Sequence, residues 1–106
     1  MLKPDYTNKF LNDINNAEKR GYQIDELKSV ILKLIKEEVP LPVKYRDHSL
    51  SGKMKGKRDC HIKDDWILVY QYAECNETFI DENGKEQRYN SAIVFLRTGA
   101  HSEIFK

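Results

Sequence analysis

Three histidines, the only ones in the chain, lie in polar segments rather than in apolar runs. They are His48, His61 and His101, and Asp65 lies between the last two in the sequence. An imidazole can accept or donate a proton near pH 7 because its unperturbed pKa lies closest to neutrality. Several histidines together with a carboxylate can supply both a general base and a general acid. These residue types therefore predict proton-transfer chemistry.

The charges are distributed unevenly, although the chain as a whole has a net charge of +1. Residues 44–63 hold seven Lys or Arg against two Asp, a net charge of +5, whereas residues 74–87 have a net charge of −4. A basic segment beside histidines predicts a phosphate-bearing substrate such as a nucleic acid, and an acidic segment would stay away from it. Charged runs are also typical of ordinary solvated surfaces. The basic residues considered as phosphate ligands are Lys53, Lys55, Lys57, Arg58 and Arg97.

The size and composition of the chain limit what it can be. A length of 106 residues with 40% apolar residues suits one domain, residues 1–106. The sequence contains no apolar run long enough to span a membrane and no apolar signal segment at its start, so we expect a cytoplasmic protein. Cys60 and Cys75 are too few for a disulfide scaffold, and we expect both to be reduced and at least one to be buried.

The first half of the chain predicts two amphipathic helices. Apolar residues recur at helical spacing over residues 5–20, where Asp5 or Thr7 is the expected N-cap. A clearer pattern covers residues 25–38, with Asp25 as the expected N-cap. Prolines follow and end the second helix because they cannot donate a backbone hydrogen bond.

The second half predicts an antiparallel sheet of about four strands. Asn83-Gly84 favours a hairpin that pairs residues 66–82 with 85–101, and residues 1–3 can add an edge strand that Pro4 keeps short. The predicted fold class is α+β, with the two helices on one face of the sheet and a short turn at the C-terminus. Three segments rich in β-branched and aromatic residues are the expected inner strands: residues 58–62, 66–72 and 91–97.

Four short motifs resemble one known family when they are taken in order. They are Asp47-His48-Ser49-Leu50-Ser51-Gly52, Arg58-Asp59-Cys60-His61-Ile62, Asp65-Trp66, and Arg97-Thr98-Gly99-Ala100-His101-Ser102-Glu103-Ile104-Phe105. Together they resemble the YafQ branch of the RelE/ParE toxin superfamily, from the second helix to the C-terminus. The resemblance implies a RelE-like fold. The chain departs from the family at residues 74–90, which lengthen the predicted hairpin.

The resemblance also implies an activity and partners. Members of the family are toxins of toxin–antitoxin pairs, and they cut messenger RNA in the ribosomal A site without a metal or other cofactor. A cognate antitoxin and mRNA on the ribosome are the implied partners, and no membrane is involved. By motif, the resemblance gives catalytic positions to His48, His61, Asp65 and His101. It places Trp66, Arg97 and Phe105 against the RNA.

The chemistry expected at these positions follows from the substrate, since RNA carries its own nucleophile in the 2′-hydroxyl. Cleavage needs a base for that hydroxyl, an acid for the leaving 5′-oxygen and positive charge for the phosphorane. Our assignment takes His101 as the acid, His61 or Asp65 as the base and His48 as a phosphate ligand. Trp66 or Phe105 would stack on a base of the RNA.

Simpler interpretations of the same residues stay open. His48 suits a surface loop, Trp66 a core position, Phe105 packing against the sheet, and Asp64 rivals Asp65 as the carboxylate. A zinc site is not expected, because the spacings match no compact zinc motif. Two alternative functions also remain on this scaffold, a non-enzymatic inhibitor like the ParE branch and a plain RNA- or ribosome-binding module.

Overall fold

A computed structural model describes residues 1–105, in which two helices cover one face of a sheet. In chain order the elements are β1 (Lys3–Tyr6), α1 (Asn8–Lys19), α2 (Ile24–Ile35), β2 (His48–Ser49), β3 (Arg58–Lys63), β4 (Trp66–Ala73), β5 (Thr78–Ile80), β6 (Glu86–Arg88), β7 (Ala92–Ala100) and α3 (His101–Ile104). Two 3₁₀ turns, Val43–Tyr45 and Gly52–Met54, lie in the segment between α2 and β3.

The main sheet has five strands in the order β1-β7-β4-β3-β2. The pair β1–β7 is parallel and the other three pairs are antiparallel. Strands β5 and β6 form a separate two-stranded sheet, which we call the arm. The α+β class is confirmed, while the sheet has five strands instead of about four, and one of its pairs is parallel.

Strand β1 extends further than its proline suggested. The backbone N–H groups of Lys3 and Thr7 donate to the carbonyls of Ser91 and Phe95 at 2.9 and 3.1 Å. The backbone N–H groups of the odd-numbered residues of β1 therefore point to β7. Pro4, which has no N–H, would direct that group to the free edge of the sheet, where no donor is needed. The chain is already a strand where helix α1 was expected to begin.

The helix termini confirm one predicted cap and correct another. Thr7 caps α1, since its hydroxyl accepts the Phe10 N–H at 3.0 Å. The N-cap of α2 is Gln23, not Asp25, which lies inside the first turn. A carboxylate in the first turn interacts favourably with the helix dipole without capping the end.

The hairpin between β4 and β7 forms at the expected turn but in a shifted register. Trp66 pairs with Ala100 rather than with His101, and a bulge shifts the register again between Val69 and Tyr70. The tip is built by Asp81, whose carboxylate accepts the backbone N–H groups of Asn83 and Lys85 at 2.9 Å each. Residues 74–77 separate the arm from the main sheet, so the hairpin is not one continuous ladder.

The core lies between the helices and one face of the sheet. Helix residues such as Phe10, Leu27 and Leu34 meet sheet residues such as Leu68 and Phe95, and all five are fully buried. Cys60 is buried in this cluster and Cys75 is partly exposed, and both are free thiols. Within residues 1–105, no helix has the length and apolar character that crossing a membrane requires.

Candidate functional site

The sheet face opposite the helices gathers the predicted histidines. Cys60 and Ile62 of β3 belong to the core, so the alternation of side chains turns Asp59 and His61 to the other face. The register places His48 of β2 directly opposite Asp59. His101 follows the end of β7 at the start of α3.

His48 is held by oxygen atoms on one side of its ring. Its Nδ1 lies 2.7 Å from the carbonyl oxygen of Arg46 and 3.3 Å from Oδ1 of Asp59. A carbonyl oxygen can only accept, so the proton of a neutral His48 resides on Nδ1. Nε2 is then left with a lone pair, and the imidazole is half exposed to solvent.

His61 is held in the same way. Its Nδ1 lies 3.0 Å from the carbonyl oxygen of Asp64, which again places the proton of the neutral ring on Nδ1. Asp64 has a positive φ of 46° in the turn between β3 and β4. The predicted rival to Asp65 therefore contributes its backbone, not its carboxylate, to the site.

His101 is positioned by the same turn and by its own helix. Its backbone N–H donates to the carbonyl oxygen of Asp65 at 3.2 Å, and its ring lies 4.8 Å from the ring of Phe105. In α3, Glu103 binds Arg20, the residue that follows α1, at 2.6 Å. Asp65 is exposed, and its described hydrogen bond is made by its carbonyl group.

Asp59 is the carboxylate at the centre of this face, and sequence reasoning did not select it. It is 2% exposed, and its Oδ1 has no hydrogen-bond partner. Burial raises the pKa of Asp59, and the positive charges of His48, His61 and His101 act in the opposite direction. All three histidines therefore lie within electrostatic range of one buried carboxylate. The signal was present in the sequence, because Asp59 and His61 alternate onto the same face.

The two arginines expected to bind phosphate have carboxylate partners inside the protein. Arg97 makes a bidentate contact with Asp13 of α1 at 2.7 and 3.1 Å. Arg58 lies on the helix side of β3 and contacts Asp47 at 3.4 Å. The anionic partner of Arg97 within the protein is therefore Asp13. A single Asp in an amphipathic helix gave no signal of this contact.

Asp47 is also bound by a buried tyrosine. The hydroxyl of Tyr70 donates to Oδ1 of Asp47 at 2.5 Å. Burial and then this hydrogen bond raise the pKa of Tyr70, so the hydroxyl keeps its proton and remains a donor. Tyr70 was predicted only as a strand residue.

The basic loop before β3 presents its lysines to solvent. Lys53 and Lys55 are exposed and Lys57 is partly exposed. None of the three has a carboxylate within 4.0 Å among residues 1–105. Lys57 lines a cavity of about 250 Å³ together with Arg97 and Ile104. These side chains are available to an external anion, unlike the two arginines.

The structure places the two predicted stacking aromatics differently. Trp66 is buried, packs edge-on against Tyr22 and donates its indole N–H to Thr98 at 2.8 Å. Its ring is thus occupied by the core, which is the simpler interpretation its sequence allowed. Phe105 is partly exposed and contacts His101.

A metal centre was also tested on the described residues. Among residues 1–105, no group of three or more His, Cys, Asp or Glu side chains has the arrangement of a metal site. Cys60 lies in the core, on the face of β3 opposite His61.

Comparison with known proteins gives a consistent result. The family model described as the bacterial toxin of a type II toxin–antitoxin system, YafQ, matches residues 2–106. The chain is 33% identical over 101 residues to the mRNA interferase toxin YafQ of Escherichia coli K12, covering 95% of this chain and 92% of that protein. It is 38% identical over 104 residues to a putative toxin YafQ of Haemophilus influenzae, covering 96% and 90%.

A solved structure shares the whole fold. The crystal structure of the E. coli DinJ–YafQ complex matches with a TM-score of 0.78 and 31% identity, covering 100% of both chains. The similarity thus includes the helices, the sheet and the face that carries the histidines.

Proposed function

The chain belongs to the YafQ family of toxins from type II toxin–antitoxin systems, and from this premise we propose how it acts. Like the relatives named mRNA interferases, it is an endoribonuclease. We propose that it cleaves mRNA on the ribosome, in the A site, and that its histidines and a buried carboxylate catalyse the cleavage without a metal. The observation that carries the proposal is the sheet face on which His61 lies beside the buried Asp59, with Nδ1 of His48 3.3 Å from Oδ1 of Asp59.

The proposed reaction is an internal transesterification. The 2′-hydroxyl loses its proton to a base and attacks the adjacent phosphorus, and the bond from phosphorus to the 5′-oxygen breaks. The leaving oxygen takes a proton from an acid, so the products are a 2′,3′-cyclic phosphate and a 5′-hydroxyl. No metal or water is consumed, and two side chains that exchange protons suffice.

The tautomers of His48 and His61 support their participation. Both rings hold the proton on Nδ1 against carbonyl oxygens, which leaves Nε2 as a potential base. We propose His101 as the acid and His61 as the base, which is one of the two bases that our assignment from the sequence left open. Asp65 supports His101 through its carbonyl group, so the base role passes to His61.

Asp59 has the role of an electrostatic partner. An ionised Asp59 stabilises an imidazolium at His48, whose Nδ1 is 3.3 Å away. A cationic His48 can then hold the phosphate while charge develops on the phosphorane. The lysines of the basic loop, Lys53, Lys55 and Lys57, would bind phosphates of the mRNA and of the ribosomal RNA. Cations without a partner inside the protein gain most from the release of counterions.

The activity test uses purified protein, ribosomes and a defined mRNA. We expect cuts within a codon positioned in the A site, a 2′,3′-cyclic phosphate on the upstream fragment, and full activity in the presence of EDTA. His101→Ala is the matched inactive control. Intact mRNA together with arrested growth would instead support a non-enzymatic toxin, and cutting of naked RNA at an equal rate would reject the ribosome dependence.

A cognate antitoxin is the proposed protein partner. The structurally similar E. coli protein was crystallised as a DinJ–YafQ complex. A small protein encoded beside this toxin should restore growth when both are expressed, and it should co-purify with the toxin. Growth arrest that no neighbouring gene relieves would contradict this pairing.

A further inference from the structure

We propose that Tyr70 is a positioning residue that holds His48 in the site through the carboxylate of Asp47. The inference rests on the proposed function, since it assigns to Tyr70 a part in the chemistry of that site. Tyr70 lies in the core, on the helix side of β4, and cannot itself reach RNA. Its effect must therefore pass through another residue.

The strand that carries His48 is too short to fix an imidazole. Strand β2 consists of His48 and Ser49, which pair with Asp59 and Arg58 at the outer edge of the sheet. Arg46, two residues earlier, has a φ of 48°, so the chain turns just before the strand. An edge segment with two pairs opens at low free energy unless other contacts hold it.

Asp47 provides those contacts on the helix side. Its Oδ1 accepts the Tyr70 hydroxyl at 2.5 Å, and its Oδ2 lies 3.4 Å from a guanidinium nitrogen of Arg58. The side chain of Asp47 is 14% exposed, whereas that of His48 is 52% exposed. Because Tyr70 is fully buried, its ring is fixed by packing and its hydroxyl offers a fixed point to the loop.

The anchor determines the direction of the next side chain. Successive residues of an extended segment point to opposite faces, so holding Asp47 on the helix side turns His48 toward Asp59. This orientation brings Nδ1 against the carbonyl of Arg46 and Oδ1 of Asp59, which select one tautomer. Without the anchor, the imidazole would sample other orientations and both tautomers.

The test removes one oxygen atom from the core and observes the histidine. In Tyr70→Phe, single-turnover cleavage of ribosome-bound mRNA should fall about tenfold, with unchanged affinity for the ribosome. The ¹⁵N imidazole spectrum of His48 should change from one tautomer to a mixture. Tyr89→Phe is the matched control, because Tyr89 lies against Phe79 beside the arm, and both readouts should stay at wild-type values.

Two results would overturn the proposal. One is a Tyr70→Phe protein with wild-type cleavage and an unchanged His48 spectrum. The other is a lower melting temperature with an unchanged His48 spectrum, which would show that the hydroxyl only stabilises the fold. If Tyr70→Phe does not fold, Asp47→Ala serves instead, since it removes the acceptor of the Tyr70 hydroxyl and should change the His48 spectrum in the same way.

The spectrum separates this inference from the proposed function. A wild-type protein that fails to cut mRNA, with a His48 tautomer that still depends on Tyr70, would reject the nuclease mechanism and keep the anchor. If the wild-type protein cuts mRNA but the His48 tautomer is the same in Tyr70→Phe, the nuclease mechanism is kept and the anchor is rejected.

Discussion

The two ends of the long hairpin use carboxylates in opposite ways. Near the histidines, Asp13, Asp47 and Asp59 are largely buried, and each faces a basic side chain of another segment. In the arm, Asp81 is bound by the backbone of its own turn, and Glu77 is exposed and contacts Lys3 at the surface. One end is thus held by largely buried polar contacts and the other by exposed ones.

This difference shows where a carboxylate can influence chemistry. A buried carboxylate acts on its neighbours through a medium of low polarisability. When it is removed, its basic partner is left with a charge or donor that nothing satisfies. An exposed one is screened by water and salt, and its ion pairs contribute about 0–1 kcal/mol. Substitutions at the histidine end should therefore change activity, while equal changes in the arm should change little.

The largest effect is expected from the histidines themselves. His61→Ala and His101→Ala should each reduce the single-turnover cleavage rate by about 10²- to 10⁴-fold, because each removes a proposed proton donor or acceptor. Rapid-quench assays with ribosome-bound mRNA measure this rate. The two variants should bind the ribosome as wild type does. A loss of less than about threefold in either would remove that histidine from the mechanism.

The second largest effect is expected from Asp59→Asn, which should lower the cleavage rate and raise the free energy of unfolding. Cleavage should fall about 10- to 100-fold, since the imidazolium of His48 loses its charged partner. The free energy of unfolding at pH 7 should nevertheless rise by on the order of 1 kcal/mol, because a buried charge with an unbonded oxygen is replaced by a neutral amide. Urea denaturation measures the second quantity, and a loss of stability at pH 7 would contradict it.

The pH dependence of that stability has a defined sign. Burial raises the pKa of Asp59 in the folded protein above the unfolded value of about 3.9, so the folded state holds its proton longer. Binding of this proton therefore contributes to the free energy of unfolding. The contribution is fully present at pH values below the unfolded pKa, and it is lost as the pH rises through the folded pKa. The advantage of Asp59→Asn over wild type should therefore shrink as the pH is lowered from 7 toward 4.

The exposed lysines should have a smaller effect that depends on salt. The triple variant Lys53→Gln, Lys55→Gln, Lys57→Gln should bind ribosomes about tenfold more weakly and reduce the slope of log affinity against log salt by up to about 2. Arg58→Gln is the informative comparison, because Arg58 already has Asp47 as a partner and should change the slope by much less. Equal changes in slope would show that Arg58 also meets an external phosphate.

The sequence revealed the elements and the histidines because both are local properties. Helical spacing and strand composition predicted α2, β3 and β4 closely. The alternation of side chains along β3, which puts Asp59 and His61 on one face, is a local property of the same kind. Contacts between distant residues were not accessible in this way. Nothing in the local pattern indicated that Asp13 would bind Arg97 or that Tyr70 would bind Asp47, since these contacts depend on how α1 and the basic loop lie against the sheet.

Two outcomes had a common physical origin. Lys3–Tyr6 became a strand because an open edge of β7 offered hydrogen-bond partners, which outweighed the helical pattern that began at residue 5. Of the two positions that the sequence left open for Trp66, stacking on RNA or packing in the core, the structure shows burial and a hydrogen bond to Thr98. In both places tertiary contacts decided the outcome.

The arm should be the least sensitive part of the molecule. Replacing residues 76–88 by Asn-Gly would remove the Phe79–Tyr89 contact and the surface pair between Lys3 and Glu77. Insertions at hairpin tips are usually tolerated, so cleavage should change less than about twofold, and the free energy of unfolding by about 1 kcal/mol or less. Single-turnover cleavage and urea denaturation measure both.

Antitoxin binding provides the sharper control for the arm. If the acidic tip only extends into solvent, the shortened toxin should bind its antitoxin with wild-type affinity, as measured by calorimetry. A loss of more than tenfold in that affinity, with cleavage unchanged, would give the arm a role of its own. The two ends of the hairpin would then serve different partners, with RNA at the histidine end and protein at the acidic end, because carboxylates repel phosphate and attract basic side chains.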